Sequence, residues 1–98
     1  MDLIDRLNKY RIYEKAWEQY NQEGHTGRAK TELVYEYAET ITSNLWRETR
    51  DELRELSGQS WIVEELNFEE RALLDKMKEL KMLGELCKKK SIDEYNNR

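Results

Sequence analysis

The chain has 98 residues, 39% of them charged, with a formal net charge of −4 and a mean hydropathy of −1.06. That length fits one domain. No apolar run exceeds three residues, as in Trp61-Ile62-Val63, which excludes a membrane-spanning helix. Acids and bases intersperse throughout, so there is neither a clustered basic face for nucleic acid nor enough net acid to mimic a polyanion.

Leu, Ile, Val and Phe together number 20 of 98, close to the composition at which chains stop folding. Low net charge and periodic apolar spacing argue for a folded chain. A core this thin is marginal alone, and burial against itself or a partner is one remedy. The single cysteine, Cys87, excludes an internal disulfide and a cysteine-based metal cluster within one chain. It fits a reduced, cytoplasmic setting, as does an N-terminus, Met1 to Arg6, without an apolar signal region.

Residues 2–22 read as a first helix. Leu3, Leu7, Tyr10, Tyr13, Trp17 and Tyr20 recur at steps of three and four, with Asp2 placed to cap the start. Ile12 falls on the other side and is expected to be exposed. Residues 21–30 form a loop in which Gly24 suits a left-handed helix end. His25, the only histidine, reads as a solvated loop residue. Gly-His-Thr-Gly-Arg lacks the spacing and the preceding strand of a phosphate-cradling loop.

The second helix, residues 29–57, is the longest pattern and the one around which the others should pack. Val34, Ala38, Ile41, Leu45, Thr49 and Leu56 form its stripe, widened by Tyr35, Thr42, Trp46 and Leu53. Glu32, Glu36, Glu39, Arg47, Arg50 and Arg54 lie opposite. Gly58 is a stop signal. A short helix is expected at 60–66, capped by Ser60. Asn67-Phe68-Glu69-Glu70 then reads as a capping box opening a last helix over 68–90. Ile62 and Leu66 are in phase with that helix, so one unbroken helix from Trp61 to Lys90 is the alternative. Leu73, Met77, Leu80, Gly84 and Cys87 share its apolar line. Gly84 marks either a close helix approach or a weak last turn. Lys88, Lys89 and Lys90 complement the negative end of the helix dipole, and residues 91–98 read as a frayed tail. The expected fold is all-α: a small antiparallel three-helix bundle with a short additional helix near 60–66. An open helical array completed by dimerisation is the alternative.

One acidic pattern has an enzyme counterpart. Glu36-x-x-Glu39 followed by Glu48-x-x-Asp51 resembles the signature of all-helical nucleoside triphosphate pyrophosphatases, in which four carboxylates hold Mg²⁺ for attack on a phosphate. The resemblance spans sixteen positions. In that family the two acidic pairs come from two facing helices. Here both fall on one predicted helix, where ~100° per residue turns the first pair about 120° away from the second. With one histidine and one cysteine on different segments, nucleophilic catalysis has no evident machinery. No cofactor or metal is expected.

The sequence therefore points by elimination to a non-catalytic regulatory or adaptor protein that binds another protein. Small acidic single-domain proteins of this kind are frequent among phage and mobile-element modulators of host machinery, which is an association of type rather than of residues. Candidate partner-binding residues are the aromatics Tyr13, Trp17, Tyr20, Tyr37, Trp46 and Trp61, because Tyr and Trp dominate interface hot spots. A homo-oligomer is compatible with the same stripes. The alternative function is nucleic-acid binding through residues 71–90, which hold seven Lys/Arg against three Asp/Glu.

Overall fold

The computed structural model describes residues 2–24, 30–57 and 67–96, apart from the side chains of 30 and 57. His25, the expected short helix at 60–66, Trp61 within it, and residues 97–98 lie outside that range. The described elements are four helices: α1 (Leu3–Asn8), α2 (Ile12–Glu23), α3 (Lys30–Ser57) and α4 (Phe68–Asn96). The fold is an all-α bundle.

Helices α3 and α4 lie antiparallel and make the most extensive packing in the molecule. Near one end, Ser91 Oγ donates to the Glu32 carbonyl at 3.2 Å and Thr31 Oγ1 to Glu94 at 3.3 Å. Midway, a Cβ on Gly84 would sit 3.5 Å from Thr42 Cγ2. Gly84 thus marks a close approach of the two helices, the first of the two readings its position allowed. Thr42 and Thr49 are buried in the same seam. Each hydroxyl donates back to the carbonyl four residues earlier, Ala38 and Leu45, at 2.7 Å. That bond satisfies a polar atom in a place that excludes water.

Several sequence signals act as read. Asp2 Oδ1 accepts from the Asp5 amide at 2.9 Å, capping α1. Gly24 closes α2 in the left-handed conformation, φ 61°. Asn67 and Glu70 form the reciprocal capping box: the Glu70 amide donates to Asn67 Oδ1 at 2.9 Å, and the Asn67 amide to Glu70 Oε1 at 3.4 Å.

Four details differ. The first helix is broken: Arg11 adopts a left-handed φ of 60° and separates α1 from α2. On either side of the break α1 packs on α4 and α2 on α3. The break also changes the helical phase, and Ile12, expected outside, is fully buried. The tail is not frayed through Asn96: α4 continues, Ser91 is buried, and Lys90 pairs with Glu94 at 3.5 Å. That extension covers Glu32, which is only 2% exposed although it lies on the charged side of α3. Finally, Leu56 is 53% exposed and Ile41 and Leu45 are half-buried. Their side of α3 faces the α1–α2 arm, which packs around the half of α3 that holds Leu33 to Ala38.

The arm is held by apolar and polar contacts. Leu7, Ile12, Ala16 and Tyr20 join Leu33, Val34, Tyr35, Ala38, Leu80, Leu83 and Cys87 in one core. At its edge, Tyr10 Oη and Lys9 Nζ both donate to Glu79 Oε1 on α4, the lysine at 3.1 Å. The Tyr10 hydroxyl, then Lys9, hold the Glu79 carboxyl below its ordinary value of 4.5. Burial and the same carboxylate push the Tyr10 phenol up, and the bond to Glu79 raises Lys9.

Two outcomes follow. A non-glycine residue in the left-handed region costs roughly 1–2 kcal/mol, so Arg11→Gly should raise stability by up to about 1 kcal/mol after the entropy glycine adds to the unfolded chain. Chemical denaturation of the two proteins checks this. Glu79, depressed in the fold, contributes stability above about pH 4.5 that is lost as pH falls through its lowered pKa. Glu79→Gln should therefore be less stable than the parent at pH 7, and the gap should close in acid. Thermal melts across pH 3–7 read the difference.

Candidate functional site

The aromatic candidates separate into two groups. Tyr13, Trp17 and Tyr20 lie on α2, where Tyr13 meets Trp17 edge-on at 6.3 Å and Trp17 meets Tyr20 at 5.6 Å. Tyr13 also contacts Tyr35 on α3 at 6.1 Å. These rings fasten the arm to α3. Tyr20, 7% exposed, is a core residue with little surface to offer, and Tyr13 and Trp17 are half-buried against the core. Tyr37, also half-buried, donates its hydroxyl to Glu23 at the end of α2. The α2 group and Tyr37 thus have internal packing roles.

Trp46 stands apart. It lines an open cavity of about 500 Å³ between α3 and α4 to which the arm contributes nothing. Thr42 and Gly84 are in that lining. Trp46 and Leu80 are its large apolar side chains. Arg47, Lys81 and Lys88 are its bases, Glu39 and Glu85 its acids. The guanidinium of Arg50, one turn beyond Trp46, sits 5.3 Å from the indole ring. Its Nη2 reaches Asp51 at 3.4 Å, while its buried Nε has no hydrogen-bond partner. A half-exposed indole flanked by a guanidinium is the combination that anchors protein interfaces.

The volume falls within the range of ligand pockets, but such pockets enclose most of their ligand and this one is partly open to solvent. The site was legible only in part. Trp46 and the charges of α3 were visible as periodic positions, whereas the contribution of Gly84, Leu80 and Lys81 depends on α4 lying antiparallel in this register. Gly84 suggested a close helix approach in the sequence but not the residue it would meet, which is Thr42.

The four carboxylates of the pyrophosphatase-like pattern all sit on α3. Glu39 is half-buried at the groove; Glu36, Glu48 and Asp51 are exposed. Among the described residues, no group of three or more His, Cys, Asp or Glu side chains is placed to hold a metal ion. Cys87 is fully buried, and burial pushes its thiol up to about 12. The basic residues of 71–90 are distributed around α4: Lys81 and Lys88 line the groove, whereas Lys76 lies 5.7 Å from the Tyr10 ring on the side of the arm. No described helix is long and apolar enough to cross a membrane. Compared with known proteins, the chain matches no family model, no curated protein and no solved structure.

The Cys87 thiol should be inert in the native chain. A rise from 9.0 to about 12 lowers the thiolate fraction at neutral pH by roughly a thousandfold. Disulfide-reagent labelling should be slow under native conditions and rapid in denaturant.

Proposed function

We propose that this chain is a non-catalytic regulatory or adaptor protein that binds another protein through the α3–α4 groove face. One observation carries the reading: the arm packs on one side of the antiparallel pair, and on the other the described residues form a groove edged by the half-buried Trp46. Trp46 and Arg47 on its lining are of the residue types enriched at protein interfaces. The interleaving of Glu39 and Glu85 with the bases weighs against a phosphate backbone as occupant. The spread of the acidic pairs along one face-turning helix weighs against a magnesium-dependent hydrolase.

A photo-crosslinking residue at Ser43, on the groove, tests this in the source cell. Expected is a protein adduct that is absent from an Asn8 control on α1 and is lost when Gly84→Phe fills the groove while circular dichroism shows the helices intact. A Ser43 adduct no different from the control, or one indifferent to Gly84→Phe, overturns the reading.

A further inference from the structure

The outward side of α3 carries a charge pattern with mirror symmetry. Counting from Ser43, acids stand at Glu39, Glu36 and Glu32 and bases at Arg47, Arg50 and Arg54, at steps of four, three and four in each direction. At ~100° per residue all seven positions fall within one third of the helix circumference, on the groove side that Glu39, Ser43 and Arg47 help line. A helix with an acidic half and a basic half at mirrored spacing complements an antiparallel copy of itself. A two-fold axis through Ser43 sets Glu39 against Arg47 of the other copy and Glu36 against Arg50, each pair occurring twice.

We propose that a second copy of this chain occupies the groove face, in an antiparallel α3–α3 pairing centred on Ser43. The inference rests on the reading of this face as protein-binding and supplies its occupant. Ser43, Glu36 and Arg47 are exposed, and Glu39 and Arg50 are half-exposed. The outermost pair does not take part, because Glu32 is covered by the end of α4. On α4, Lys81 lines the same groove as the basic half, and Lys88 and Glu85 offset each other. Exposed ion pairs give little affinity, but they fix register and orientation. The apolar contribution comes from Trp46, three residues and therefore about 4.5 Å along the axis from the two-fold on each copy. The two indoles flank the axis, each beside the guanidinium of its own Arg50. A serine at the centre lets the backbones approach.

The test is a charge-swap series on the full chain, followed by analytical ultracentrifugation. The parent should dimerise reversibly at micromolar concentrations, more weakly as salt rises. Arg47→Glu sets like charges against each other twice and should weaken the dimer by about tenfold or more. Glu39→Arg/Arg47→Glu restores opposite charges across the two-fold and should restore the dimer. Residues 39 and 47 are about 12 Å apart along one helix, so rescue reports contact between copies. Ser43→Cys should also form an intermolecular disulfide under mild oxidation. Helix axes 8–10 Å apart bring facing Cα atoms within reach of such a bond, and Cys87 is buried. Asn8→Cys should remain reduced. A parent that stays monomeric at ~100 µM in low salt overturns the dimer. So does a double variant no better than Arg47→Glu, or a Ser43→Cys chain that bridges no faster than Asn8→Cys. A Ser43 photo-adduct to a different protein from a monomeric parent removes the second copy but keeps the protein-binding reading; absence of any groove-specific adduct removes both.

Discussion

The close antiparallel approach of α3 and α4 is the contact from which the rest of the molecule takes its position. It is made at small and β-branched side chains: Ala38, Thr42, Thr49 and Gly84 let the backbones come together, and each threonine disposes of its hydroxyl on its own helix. Dispersion between such surfaces is individually weak but runs the length of two helices of 28 and 29 residues. The seam creates two flanks. The arm of α1 and α2 closes one around a core of Leu7, Ile12, Val34 and Leu83. Among the described residues the other forms the groove, lined by Trp46 and five charged side chains.

A scarce supply of apolar side chains accounts for this asymmetry. With 20 Leu, Ile, Val and Phe residues in the sequence, one continuous core can be built, not two. Tyrosines and tryptophans make up part of the deficit where the arm docks, keeping a polar edge at the surface, as Tyr10 and Tyr37 do with Glu79 and Glu23. Beyond the arm Leu53 is still fully buried, but Ile41 and Leu45 are half-buried, and Leu56 at the end of α3 and Phe68, 88% exposed at the start of α4, show the same shortage.

What the sequence made legible follows from the range of the interactions. Caps and helix ends are local. Asp2, Gly24 and the Asn67–Glu70 box are settled by residues within four positions of each other, and each was readable. The stripe of α3 was readable as a period, including its threonines. What could not be read was set by distant partners. The break at Arg11 violates local preference and exists because α1 and α2 answer to different helices. Ile12 changes sides with it. The order of Ser91 to Asn96 comes from α3, through Glu32 and Thr31. The groove combines two helices whose relative register no single segment encodes, although half of its lining was already on the α3 pattern.

The left-handed arginine bears on the lifetime of the protein as well as on its shape. A backbone held in a costly conformation persists only while its surroundings insist on it. Helix α1 is six residues long and touches α4 with one side, so it belongs at the low end of the local stability scale. Its release would relax Arg11 and uncover Leu7, the residue α1 buries. Degradation in a cell samples such partial openings rather than full unfolding. Tyr10 and Glu79, which tie the end of α1 to α4, are accordingly the place where a modest change should shorten lifetime before it alters fold.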